Sequence, residues 1–207
     1  MCRGAHARTA PDARTCGAQV NSRIAAGQLW RLVPPALLHG GVVHRLVNAY
    51  ALNELGPTAE ALLGRGRFVA LYALSAVSGN VASYVCSPRN AVGASGAVFG
   101  LLGCLGVYLA RHRHLHGELE LKCARPHRAI FAALTRLARR AVQRSLVLNL
   151  LFGAASPNVD NWAHLGGLAG GALFAFVMGP NLQWEGRWLV DRGPLLRLPL
   201  RRRHISS

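Results

Sequence analysis

Ser95 and His164 are the residues of this 207-residue chain whose types and setting could support bond-breaking chemistry. Ser95 lies in AVGASGAVFGLLGCLGVYLA (91–110), a run without charged side chains, and His164 opens a second such run, WAHLGGLAGGALFAFVMGP (162–180). A serine hydroxyl is a poor nucleophile near neutral pH and needs a base within hydrogen-bond reach. A tetrahedral intermediate also needs donors aimed at its oxyanion. Ser95 and His164 supply nucleophile and base if their helices touch. A helix beginning at Ser95 leaves free main-chain N–H groups and the positive end of its dipole there, and both favour an anion. His44 and Asn48, spaced i and i+4, fall on one face of a helix predicted within 36–53 and add two side-chain donors.

Small residues permit the necessary approach. Gly96, Gly100 and Gly103 line one side of the Ser95 helix, with Gly93 just before it, and Gly167 and Gly171 follow His164 at i+3 and i+7 on its own face. Such rows let helix backbones pack closely in a membrane. Each polar residue taken alone is compatible with ordinary helix packing; the combination is what points to a site.

The elements that must hold these residues are membrane helices. The chain is 51% hydrophobic and 15% charged, with mean hydropathy +0.22, which departs from an ordinary soluble domain. The apolar runs 68–86, 91–110 and 162–180 each approach the roughly 20 residues a spanning helix needs. Two weaker candidates are 36–53, with His39, His44 and Arg45, and about 141–156, with Arg144. Ionisable groups in a span usually face a protein interior or a water-filled cavity. The expected fold class is therefore all-α, a polytopic membrane helical bundle of about five spanning helices. Gly56-Pro57, Gly64-Arg65-Gly66, Ser87-Pro88, Ser156-Pro157 and Gly179-Pro180 mark expected breaks between spans.

The net charge of +16 is distributed unlike that of a nucleic-acid binder. Nine of the 24 basic residues lie between Arg111 and Arg144, and six follow Pro180. With Arg-rich loops kept to one side, Ser95 and His164 both sit toward the opposite face. No nucleic-acid partner is expected, whereas the basic loop can touch anionic lipid headgroups. Five arginines in residues 1–31 fall on the wrong side for five spans, so a further span upstream is expected. Residues 1–26 read as a disordered or transit-like segment, 27–180 as a membrane domain with a basic loop at about 111–144, and 181–207 as a poorly ordered basic tail. Within the loop, AIFAALTRLARRA can form an amphipathic helix with Ile130, Phe131, Leu134 and Leu137 on one face. The five cysteines have no C-x-x-C spacing, and Cys86 and Cys104 read as small apolar fillers. His112, His114 and His116 lack an accompanying carboxylate or cysteine, so they read as a solvated Arg/His loop rather than a metal site.

Together these elements resemble the rhomboid family of intramembrane serine proteases. The resemblance rests on Trp30-Arg31, His44-x-x-x-Asn48, Gly93-x-Ser95-Gly96, and Ala163-His164 followed by Gly167 and Gly171, and it covers residues 27–180. The wording of GQLWRL, GASGAVFG and DNWAHLGGL looks most like plant plastid-type rhomboids, which implies an integral membrane protein, with the chloroplast envelope favoured ahead of mitochondrial and secretory membranes. The resemblance implies Ser95 as nucleophile and His164 as base and then acid, with an oxyanion hole built from the Ser95 main chain, His44 and Asn48. It implies no metal or organic cofactor, and it makes Asp160 a cap or loop residue rather than a third catalytic member. Implied partners are the lipid bilayer and transmembrane protein segments, cut near their outer or luminal end after lateral entry past a gate helix near 145–156; the oligomeric state is left open. The family core has six spanning helices, one of them ahead of Trp30-Arg31; no apolar run stands there, so a first spanning helix is expected to be missing from this sequence, and the basic segment around 122–143 reads as an insertion or retained intron sequence. A catalytically inactive rhomboid-like protein that binds membrane helices is the alternative, and retention of Ser95, His164, His44 and Asn48 argues against it. A channel or transporter would spread polar residues along a helix face, whereas here they cluster at one level.

Overall fold

The computed structural model describes residues 17–113, 115, 136–137, 139–145, 147–149, 151, 159–185 and 188–195. A short helix, α1 (Asn21–Ala25), and two 3-10 turns, Leu29–Leu32 and Pro34–Leu37, lead into α2 (Val42–Leu63), α3 (Arg65–Cys86) and α4 (Ser95–Arg111). After further helical residues at 136–137, 139–145, 147–149 and 151 comes α5 (Asn161–Met178). An antiparallel hairpin of β1 (Leu182–Glu185) and β2 (Trp188–Asp191) follows, with Leu182 opposite Asp191 and Glu185 opposite Trp188. The fold is a helical bundle, as its composition implies.

Glycine packing sets the arrangement of α3, α4 and α5. A Cβ on Gly167 would run into the main chain of Gly96, and one on Gly171 into that of Gly100. Both pairs advance in the same direction, so α4 and α5 run parallel with their N-termini at the same end. Helix α3 runs antiparallel to them: Gly79 packs where an added Cβ would lie 2.7 Å from the Ala163 carbonyl oxygen and 3.2 Å from Gly96 Cα. Ser78 Oγ donates to the Gly166 carbonyl at 2.9 Å across the same contact. Close backbone approach of this kind replaces the hydrophobic drive that apolar surroundings do not supply.

Helix α4 is the centre of the bundle. Its Val98, Leu101, Cys104 and Leu105 pack with Ala51, Leu55, Ala59 and Leu63 of α2, Leu71 of α3 and Ala175 of α5 in one buried cluster. The outward faces are apolar too, with Val69, Val85, Leu173 and Phe176 exposed. Such faces would be a liability in water and suit lipid. Among the described residues, α3 is the one helix long and apolar enough to cross a membrane by length and composition, and α4 is a shorter apolar helix.

Several boundaries differ from the sequence expectations. The helix predicted within 36–53 starts later and continues through Gly56-Pro57 to Leu63, so that pair does not break it. Proline crowds the N–H and the Cβ of the residue before it; Gly56 lacks the Cβ, which removes one part of that clash, and the rest is borne by the packing around the helix. The chain turns instead at Gly64, whose φ of 75° is left-handed and which separates α2 from α3. Within the segment read as disordered or transit-like, residues 17–26 include α1, and Gln19 forms a two-way bridge with Ala91. The stretch read as a basic tail contains the hairpin, which α4 anchors: Leu182 N–H donates to Nε2 of the buried His112 at 3.0 Å. His112 is thus packed rather than solvated, while His114, His116, Ile130, Phe131 and Leu134 lie outside the described residues. No group of three His, Cys, Asp or Glu suited to a metal occurs among the described residues.

Helix α5 begins at a cap. Asp160 Oδ1 accepts from the Trp162 and Ala163 N–H groups, each at 3.1 Å, and satisfies two of the donors a helix start leaves free.

Two stability tests follow from these contacts. Gly167→Val is expected to destabilise the protein by about 3 kcal/mol in thermal melts in detergent micelles, because its side chain meets Gly96 main chain. Gly106→Ala, with nothing within 4 Å of the added methyl, is expected to be neutral or to stabilise by about 0.5–1 kcal/mol; equal effects at the two glycines would contradict the packing account. Asp160→Ala is expected to cost about 1 kcal/mol through the lost cap, and Asp160→Asn, which keeps the cap oxygen but loses the acceptor for the Ser83 hydroxyl, to lower the melting midpoint less than Asp160→Ala.

Candidate active site

The parallel contact of α4 and α5 brings their first turns together. Ser95 is the first residue of α4, and His164 lies in the first turn of α5. Both side chains line one cavity of about 850 Å³, together with His44, Asn48, Asn80 and Asp160. His164 stacks nearly flat on Phe99, with ring centroids 4.1 Å apart and planes 12° from parallel. Phe99 is one helical turn past Ser95 on α4, so the stack holds the imidazole on the Ser95 side of that helix.

The loop that delivers Ser95 is tightly determined. Gly93 has φ 140°, and a Cβ there would lie 2.5 Å from His44 Cε1. Glycine is therefore required twice, by the backbone angle and by the imidazole lying against it. The Gly93 N–H donates to the Pro35 carbonyl at 2.9 Å, which ties the loop to the turn preceding α2. On α2 the i, i+4 spacing holds: Asn48 Nδ2 donates to the His44 carbonyl at 2.9 Å, and Asn48 is buried.

The starts of α4 and α5 differ in one useful respect. Asp160 caps α5, whereas among the described residues α4 has no side-chain cap at its preceding residue, Ala94. A helix start leaves its first N–H groups without main-chain partners in the helix, and Ser95, at that start, lines the cavity. Asp160 acts as the cap expected of it, and its second carboxylate oxygen accepts from the Ser83 hydroxyl of α3.

Of the residues predicted from sequence, Ser95, His164, His44, Asn48 and Gly93 line the cavity, and Gly96, Gly100, Gly167 and Gly171 form the α4–α5 contact beneath it. Phe99 and Asn149 were not anticipated. The spacing of Phe99 four residues after Ser95 was a signal for the first. Asn149 is buried, donates from Nδ2 to the Ser145 carbonyl at 2.8 Å and lines the cavity from the stretch read as a gate helix. An amide inside the run SLVLNLLF was the signal for it. Arg31 of Trp30-Arg31 is buried away from the cavity; it stacks over Trp30 at 4.4 Å and donates from Nη1 to the Ala18 carbonyl at 3.1 Å.

Comparison with known proteins agrees with this arrangement. The Rhomboid domain family matches residues 26–181. The chain is similar to Rhomboid protease GluP of Bacillus subtilis, at 38% identity over 183 residues, covering 88% of this chain and 32% of that protein. It is 34% identical over 159 residues to Putative rhomboid protease YdcA of Bacillus subtilis, covering 76% of this chain and 71% of the relative. It is also 34% identical over 171 residues to RHOMBOID-like protein 5 of Arabidopsis thaliana, covering 81% and 50%. The chain thus spans about a third of GluP and half of the Arabidopsis protein. Helix pattern, glycine packing and sequence likeness agree, and the chain belongs to the rhomboid family of integral membrane proteins.

Proposed function

We propose that this chain is an intramembrane serine endopeptidase that cuts transmembrane segments of membrane proteins with a Ser95–His164 dyad. The observation that carries the reading is that one cavity of about 850 Å³ is lined by Ser95, His164, His44 and Asn48 together. Ser95 Oγ attacks the scissile carbonyl while His164 takes its proton. The oxyanion is held by the uncapped first N–H groups of α4, with His44 and Asn48 as side-chain donors. On collapse of the intermediate, His164 returns the proton to the leaving amine. Water then enters the cavity, His164 activates it, and hydrolysis of the acyl-serine ester regenerates the hydroxyl. The Phe99 stack keeps the imidazole oriented through both halves. No metal or organic cofactor takes part in this scheme.

Substrate enters laterally from the bilayer, past the stretch containing Asn149, and is cut near its outer or luminal end, where local unwinding exposes a peptide bond. The chloroplast envelope is the membrane we favour, on the likeness of GQLWRL, GASGAVFG and DNWAHLGGL to plastid-type rhomboids. A chloroplastic relative, RHOMBOID-like protein 9 of Arabidopsis thaliana, supports that choice. A second reading, a non-catalytic binder of membrane helices, draws on similarity to Inactive rhomboid protein 1 of Bos taurus. The presence here of every group the chemistry needs favours the protease.

The test is cleavage of a reporter transmembrane segment by protein reconstituted in liposomes. Ser95→Ala and His164→Ala are expected to abolish cleavage, and His44→Ala and Asn48→Ala to lower the rate about 10²-fold each, as loss of an oxyanion donor does. Full cleavage by Ser95→Ala would refute the assignment; binding of the segment without cleavage by the unmodified chain would favour the binder.

A further inference from the structure

The proposed dyad joins two helices whose starts are separated by 65 residues of chain, from Ser95 to Asn161, and one residue outside the cavity contacts the supports of both. Gln19 is fully buried. Its main chain pairs in both directions with Ala91, Gln19 N–H to the Ala91 carbonyl at 3.0 Å and Ala91 N–H to the Gln19 carbonyl at 3.2 Å. Ala91 lies two residues before Gly93 on the loop that delivers Ser95. The Gln19 side-chain amide sits 2.9 Å from the Ser83 hydroxyl. Ser83, itself fully buried, donates to the carboxylate of Asp160. Asp160 in turn caps the first turn of α5, which carries His164.

The surrounding contacts fasten this link. Asn21 Nδ2 donates to the Ser87 carbonyl at 2.8 Å, and its N–H donates to Asn90 Oδ1 at 3.1 Å, so the segment grips the same loop a second time. The Arg31 guanidinium, donating to the Ala18 carbonyl at 3.1 Å, holds the segment from the other side. A main-chain bridge fixes the loop before the serine, and a side-chain relay fixes the helix start of the histidine.

We propose that Gln19 is a positioning residue, acting with Ser83 through the Asp160 cap to hold the Ser95 loop and the start of the His164 helix in register. The inference rests on the Ser95–His164 reading above. Neither Gln19 nor Ser83 lines the cavity, so neither touches substrate; their effect is on the alignment of nucleophile and base. Small misalignments of reacting groups are costly in rate.

The experiment is fluorophosphonate labelling of the full chain in detergent, measured per folded protein and well below each variant's melting midpoint. Gln19→Leu and Ser83→Ala are each expected to slow the labelling rate at saturating probe about tenfold or more, with the probe concentration for half-maximal rate unchanged. Ser83→Thr, which keeps the hydroxyl, is expected to label close to the unmodified rate. Unchanged rates in Gln19→Leu and Ser83→Ala, or a Ser83→Thr as slow as Ser83→Ala, would overturn the positioning role while leaving a Ser95-dependent reaction intact. Labelling that persists in Ser95→Ala would overturn the dyad reading and this inference with it.

Discussion

The contact on which the rest depends is main chain against main chain, where Gly96 and Gly100 of α4 meet Gly167 and Gly171 of α5. Two helices from distant parts of the sequence can present their first turns side by side only if they run parallel and lie unusually close. In lipid, no hydrophobic drive pushes helices together, so dispersion contacts and polar contacts between backbones must do so. The same glycines that allow approach also determine register. Each pair is displaced by four residues along both helices, which keeps Ser95 and His164 at a common level.

With that level set, the polar groups around the site fall into two sorts. Some fasten elements to one another: the Asp160 cap, the Ser83 hydroxyl, Gln19 on Ala91, and Asn80 donating to the Leu32 carbonyl at 2.8 Å. Others, Ser95, His164, His44 and Asn48, line the cavity, which Asn80 and Asp160 line as well, and the start of α4 after Ala94 contrasts with the start of α5 capped by Asp160. An unfilled helix start next to a serine is a poor arrangement for stability and a good one for stabilising developing negative charge. The arrangement also explains why His44 and Asn48 stand in an apolar helix: their polar ends meet the cavity rather than lipid.

Much of this was legible before any coordinates. Uncharged runs announced helices, and the glycine spacings that follow Ser95 and His164 announced which of them touch. Asp160 was readable as a cap because an acidic residue just before an apolar run suits a helix start. Other features were hidden for physical reasons. Gly56-Pro57 has the composition of a break, yet whether a helix passes through a proline depends on neighbours that sequence does not display. His112 looked like part of a solvated basic loop; its burial depends on a hairpin some 70 residues later offering Leu182 N–H to it. Gln19 was unreadable because its value lies in long-range partners, Ala91 and Ser83, and a lone glutamine in an Arg- and Ala-rich stretch carries no periodic signal.

The central claim is that Ser95 is a nucleophile activated by His164 across the glycine contact. The most direct measurement is peptide mapping by mass spectrometry after fluorophosphonate treatment of folded protein. The account predicts a single adduct on Ser95, lost in His164→Ala even where that variant melts at the same temperature as the unmodified chain. An adduct on another residue, or a Ser95 adduct formed equally fast without His164, would contradict it.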